Sequence, residues 1–160
     1  MNTLVRMVII AASLLVAGCG FAANSHLRNT CDPWLDTFYK KPLRERIDTF
    51  DSYDLGSQYQ IFICGNQVIH PPAIYLAESF AKEGGGAVPL LKTKLVQADD
   101  DLTVRDIVLV FAEMQRQRSY DVSKDADLVR LIVEKVNGIH DPEWKAIAQE
   151  NLDKILWVSK

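Results

Sequence analysis

Apolar side chains are distributed along this chain in two distinct ways. From Met7 to Ala17 they run without a charge, over a stretch shorter than the ~20 residues that span a bilayer and of the length of a secretion-signal core. From Asp32 onward they recur at three- and four-residue intervals between turn signals, the spacing of helices with one buried stripe. Trp34, Leu35, Phe38 and Tyr39 fall on neighbouring faces of a first helix, with Asp32 as its N-cap and Pro33 at its first position. Pro42 restarts the chain, Leu43, Ile47 and Phe50 repeat at helical spacing, and Leu55-Gly56-Ser57 reads as a turn. The run Tyr59 to Cys64 fits strand or helix by itself, and its helical surroundings select helix.

The second half has a stronger rhythm. Ile69-His70-Pro71-Pro72 forms a loop into Ala73 to Lys82, where Ile74, Ala77 and Ala81 share a face, and Gly84-Gly85-Gly86 stops that helix. Val88, Leu91 and Leu95 line the next one, which Asp99-Asp100-Asp101 interrupts. Val104, Ile107, Val108, Phe111 and Met114 point inward from the helix that follows. Leu128, Leu131, Ile132 and Val136 make another stripe, Asn137-Gly138 ends it, and Asp141-Pro142 opens a last helix through Trp144, Ala148, Leu152 and Ile155. These four helices are two copies of one unit. Val88 corresponds to Leu128, Asp101 to Asp141, Val104 to Trp144, Arg105 to Lys145 and Val108 to Ala148, each ~40 residues apart.

The sequence Leu15-Val16-Ala17-Gly18-Cys19, behind the apolar run and the single cation Arg6, resembles the lipobox of a bacterial lipoprotein signal. That resemblance implies removal of residues 1–18, acylation of Cys19 with palmitate-type chains, and a polar lipidated tether over 19–30. An uncleaved membrane anchor and ordinary cleavage near Ala22-Ala23 are the alternatives, and each still exports the body of the protein. Gly20 after the cysteine, in place of Asp, implies sorting to an outer membrane, facing the periplasm; the cell surface or the outer face of a plasma membrane is the alternative. With Cys19 acylated in an oxidising compartment, Cys31 and Cys64 are left to pair. Such a bridge would stabilise by roughly 3–4 kcal/mol in the chain-entropy account; two buried free thiols are the alternative.

Gly86-Ala87-Val88-Pro89-Leu90-Leu91 followed by Asp99-x-Asp101-x-x-Val104-Arg105 is similar to the first helix, turn and second-helix start of a HEAT repeat. The second copy keeps Asp141-Pro142-Glu143 but carries Trp144 for the family's Val and Lys145 for its Arg, and lysine lacks the planar fork of arginine. The resemblance implies an all-α fold, a short right-handed solenoid of HEAT-like helix pairs over about 58–156, whose first, shorter copy runs from Gln58 to Lys82. Helices in 31–57, linked by the disulfide, would cap it, so that 31–160 forms one domain. A generic helical bundle is the alternative.

Chemistry is much less legible than architecture. The formal charge is −3, and loss of Arg6 makes the exported chain more acidic. Without a clustered basic face, nucleic acid is not an expected partner, and the lipid would supply the membrane contact. No GxSxG, HExxH or phosphate-loop pattern occurs, so neither an enzyme nor a cofactor is expected. Gly84-Gly85-Gly86 lacks the following Lys-Ser/Thr of a phosphate loop; Asp99-Asp100-Asp101 lacks an EF-hand's glycine and terminal glutamate, with Val110 in the latter place, and reads as helix capping. No metal is therefore expected there. His70 and His140 each follow Ile and precede a Pro-started helix; they are candidates for a pair on one ridge, or plain turn residues. Trp34, Phe38 and Tyr39, with Tyr53 and Tyr59, are either core or an anchor surface for a protein partner. The function expected from these features is a lipid-anchored envelope adapter or assembly factor that binds protein through a helical-repeat surface. The alternative is an immunity or inhibitor protein that blocks an envelope toxin or hydrolase.

Overall fold

A computed structural model describes residues 19–157, and every regular element among them is helical. Residues 1–18, which the sequence reading takes as a signal peptide, lie outside the described residues. In chain order the helices are α1 (Cys19–Thr37), α2 (Leu43–Phe50), α3 (Leu55–Gln67), α4 (Leu76–Ala81), α5 (Val88–Gln97), α6 (Asp101–Gln117), α7 (Ala126–Asn137) and α8 (Pro142–Trp157). Short 3-10 turns at Gly84–Gly86 and Val122–Lys124 join α4 to α5 and α6 to α7.

Aspartates start most of the later helices. Asp54 accepts from the Ser57 N–H at 3.1 Å, Asp100 from Thr103 at 2.8 Å, Asp125 from Leu128 at 3.0 Å, and Asp141 from Glu143 at 2.8 Å. Each carboxylate satisfies an orphan donor and sits at the positive end of a helix dipole. At its other end α6 closes through Arg118 in the left-handed conformation, φ 59°, with the Ser119 N–H donating back to Met114 O at 3.1 Å. Gly84 has φ +53°, and a Cβ there would stand 2.5 Å from the Ser119 carbonyl oxygen, so both backbone conformation and space select glycine.

The core is continuous. Phe38, Phe50, Phe80 and Phe62 form an edge-to-face relay with centroids 6.1–6.2 Å apart. It passes to Leu91, Leu95, Ile107, Phe111 and Met114, all fully buried, and then to Leu128, Ile132, Val136 and Ile155. Helix α6 packs against α4 on one side and α8 on the other, while α5 faces α7. The inward residues read from the periodicity of α5 to α8 are buried, apart from half-buried Leu131 and Trp144.

The N-terminal third departs from the sequence reading. Residues 19–30, expected as a tether, belong to α1, and Asp32-Pro33 does not begin a helix: Pro33 lies inside it. The cost of that proline is small here because the carbonyl it leaves without a donor is that of Asn29, which is exposed to water. The Cys31–Cys64 disulfide, with Cα atoms 5.5 Å apart, then clamps α1 to α3. Leu55-Gly56-Ser57 is not a turn but the first turn of α3, wound by the Asp54 cap. Helix α4 begins at Leu76 rather than Ala73, because the two prolines before it hold the chain in turns, with the Ala73 N–H bonded to Gly65 O at 3.0 Å.

Candidate functional site

A groove of about 780 Å³ lies between α1, α3, α5 and the start of α6. Helix α3 builds one wall at helical spacing with Gly56, Tyr59, Gln60, Ile63 and Gln67. Leu27 and Thr30, one turn apart on α1, face it, and Leu90 and Lys94 of α5 close the far side. Asp99, Asp100, Leu102 and Thr103 make one end. The disulfide positions this site directly, since Cys64 lines it and Cys31 carries the α1 wall.

Its polar groups are partly committed. The Trp34 indole N–H donates to Gln60 Oε1 at 3.3 Å, which fixes the orientation of that amide and leaves its nitrogen without a partner among the described residues. Gln67 is oriented the other way: its Nε2 donates to Thr103 Oγ1 at 3.1 Å and to Asp106 Oδ2 at 3.2 Å, leaving its oxygen without a partner among the described residues. The Lys94 ammonium stands 5.2 Å from the Tyr59 ring centroid. Burial, then the nearby charges of Asp100 and Asp106, push the Tyr59 hydroxyl up to about 12, so it stays a neutral phenol. Asp100 spends one oxygen on the α6 cap, whereas Asp99 is exposed and has no hydrogen-bond or ion-pair partner among the described residues.

Behind the groove lies a buried charge. Asp106 is fully buried, accepts from Arg105 Nη2 at 2.6 Å and Nε at 2.9 Å, and takes its third bond from Gln67. Burial pushes its carboxyl up to about 6 against the opposing pull of Arg105 and Gln67. The Arg105 guanidinium in turn lies 4.5 Å from the centroid of the Trp144 ring. Gln67, Asp106, Arg105 and Trp144 thus connect α3, α6 and α8 in one row behind the site.

The aromatic candidates are largely spent on packing. Phe38 is fully buried and therefore out of reach of a partner, which corrects its reading as an anchor-surface residue. Trp34 packs edge-to-face on Tyr53 at 5.7 Å. Tyr39 is mostly buried, donates to Ile61 O at 2.7 Å, and has its hydroxyl pushed up by burial first, then by Tyr75. Gly65 leaves room for that ring, since a Cβ there would collide with the Tyr39 hydroxyl.

The histidines do not share a site. His70 is an exposed loop residue. His140 is also exposed, and its Nδ1 lies 3.5 Å from Asp101 Oδ1. Asp101 ties two turns together, since its Oδ2 accepts the backbone N–H of Asp141 at 2.8 Å and of His140 at 3.0 Å. Those bonds, the one from Asp141 foremost, hold its carboxyl below the usual range. Lys145 donates to Asn137 O at 2.8 Å and Arg105 to Asp106, so neither reaches the aspartate of the neighbouring turn. Among the described residues no group of three or more His, Cys, Asp or Glu is arranged to hold a metal ion, and no helix is long and apolar enough to cross a membrane.

Sequence reasoning singled out the aromatic residues and missed Gln60, Gln67, Leu90 and Lys94. The signal of the two glutamines was present as a stripe of mixed polarity along α3, but it acquires meaning only once α1 and α5, which carries Leu90 and Lys94, stand beside it. The groove offers amides, a phenol, one ammonium and free carboxylate, groups suited to hydrogen bonding and charge pairing over an apolar floor. Comparison with known protein families, curated proteins and solved structures finds no match to this chain.

Proposed function

We propose that this protein is a lipoprotein of the cell envelope, acylated at Cys19, that serves as a protein-binding adapter through a short stack of HEAT-like helix pairs. The observation that carries the reading is the regular separation of polar ties between helix pairs. Gln117 Nε2 donates to Glu78 O, Ser119 Oγ to Ala81 O, Lys135 Nζ to Val96 O and Ala98 O, and the His140 and Asp141 N–H groups to Asp101, at separations of 37 to 40 residues. Successive units of ~40 residues tied at matching positions are what a repeat stack requires. On this reading α3–α4, α5–α6 and α7–α8 are the pairs, and α1–α2 is the cap that the disulfide pins.

The groove supports the binding role, because it is open, mixed in polarity and, among the described residues, free of any paired nucleophile and base. Fold likeness alone would be a weak warrant for function; the concavity between cap and first pairs is the stronger one. Leu27, the first α1 residue in the groove, is eight positions after Cys19, or ~12 Å along a helix, so an acylated Cys19 would hold the groove close to the bilayer.

The test is crosslinking of the lipidated protein in its own cells followed by mass spectrometry, beside the Cys19→Ala variant. A stoichiometric protein partner, with Cys19→Ala lost from the membrane fraction, supports the reading. A membrane fraction unchanged by Cys19→Ala refutes the anchor, and the absence of any partner above background refutes the adapter. A partner enzyme that is silenced in the complex identifies an inhibitor in its place.

A further inference from the structure

We propose that the groove between α1, α3 and α5 seats an apolar polypeptide segment of the partner that carries a lysine or arginine beside Asp99. This rests on the adapter reading and names the chemistry of what the adapter holds. Three features of the groove select that occupant over others.

The floor is apolar, with Leu27, Ile63, Leu90 and Leu102 contributed by four different helices. Leu27, Leu90 and Leu102 are half-buried over the buried Ile63, and such side chains on converging helices leave hydrocarbon surface that an incoming apolar side chain covers at little ordering cost to the protein.

Among the described residues, the α3 wall then leaves one donor and one acceptor without a partner. Gln60 keeps its amide nitrogen because Trp34 takes its oxygen, and Gln67 keeps its oxygen because Thr103 and Asp106 take its nitrogen. The two residues are two turns apart on one face, ~10 Å along the helix, which is about the length of three extended residues. A peptide backbone carries both complementary groups at every residue. A lipid acyl chain carries neither, and would bury both amides without partners.

Charge sets the end of the segment. Asp99 and the free oxygen of Asp100 lie at the mouth, with Asp99 unpaired among the described residues. Lys94, the one cation among the described residues of the lining, lies over the Tyr59 ring. A basic side chain at the Asp99 end matches this arrangement, and an acidic one meets like charge.

The probe is a displayed library of random peptides, panned on the full-length, disulfide-intact lipidated protein. Enriched peptides are expected to combine aliphatic or aromatic residues with Lys or Arg. Asp99→Lys is expected to weaken their binding about tenfold, and Leu90→Glu to abolish it. Asp127→Lys, an equal charge reversal on exposed α7, is expected to leave it unchanged. Because Asp99 is exposed and bonds to no described residue, its variant keeps the test independent of folding.

Enrichment of acidic peptides, binding that ignores both Asp99→Lys and Leu90→Glu, or failure to enrich any peptide would overturn the proposal. So would a fatty acid that fills the groove and is excluded by Leu90→Glu. A cellular partner whose crosslinks map to the exposed Leu43, Ile47 and Ile74 would sink the groove while the adapter reading stands. The absence of any cellular partner defeats that reading itself.

Discussion

Replacing Asp106 by asparagine sets burial against ion pairing at one carboxylate. Asp106 is fully buried, touches Arg105 at 2.6 Å, and titrates at about 6 in the folded protein against an ordinary value of 3.8. The folded state therefore holds this proton more tightly than the unfolded chain does. Unfolding between pH ~4 and ~6 releases it, so this residue lowers stability as pH rises through that window, by a total of about 3 kcal/mol. Asparagine imitates the neutral acid. Its oxygen can still accept from Arg105, while its NH2 faces the Gln67 donor and forfeits a hydrogen bond worth ~1 kcal/mol. Asp106→Asn is therefore expected to be ~2 kcal/mol more stable than the parent near pH 7 and ~1 kcal/mol less stable near pH 3. Urea unfolding of both proteins at several pH values, with the disulfide intact, reads the difference directly. The other carboxylates with lowered values, Asp54, Asp101, Asp121 and Asp125, act below this window, equally in both proteins, and cancel. A variant that is several kcal/mol less stable at neutral pH, by an amount that does not vary with pH, would show that the Arg105 pair outweighs burial and refute the reasoning.

Three further outcomes are expected. Cys64→Ser removes the bridge between α1 and α3 and should cost roughly 3–4 kcal/mol; reductant should lower the parent to the same stability and leave the variant unchanged. Asp101→Ala deprives the His140 and Asp141 N–H groups of their acceptor, costing ~1–3 kcal/mol, and hydrogen exchange should quicken at those two amides first. Gly84→Ala forces a Cβ at φ +53° against the Ser119 carbonyl and should destabilise by at least ~2 kcal/mol in a urea titration, whereas Gly86→Ala meets nothing within 4 Å and should be nearly neutral.

Helices α5 to α8 were legible because one buried stripe per helix, bounded by aspartate caps and glycine stops, is a local signal. The N-terminal third was obscure because its helices are placed by partners distant in sequence. The pairing of Cys31 with Cys64 does not by itself say that the turn before Pro33 is helical, and Asp54 winds Leu55-Gly56-Ser57 into α3 although the glycine suggests a turn. The disulfide itself was readable from cysteine number and from the export that the lipobox resemblance implies. Asp106 was invisible to periodicity, since an acid on a helix is ordinarily solvated; its burial follows from Gln67, 39 residues earlier. The groove was hidden for the same reason, because its three long walls come from segments that the pattern of any one of them does not relate.

The ties from Gln117 to Glu78, from Lys135 to Val96 and Ala98, and from Asp141 to Asp101 also govern how the molecule comes apart. On the repeat reading proposed above, each joins a helix pair to the one before it, so loosening at one place is felt mainly by its neighbour. The two ends are unequal. A covalent bolt holds α1 to α3, while α7 and α8 close the other end with noncovalent contacts alone. On that reading opening is graded, beginning in α7 and α8 and moving toward the bridge. A protease would trim this chain inward from its last helices, leaving the groove, which lies beside the bolt, as the last part to lose its shape.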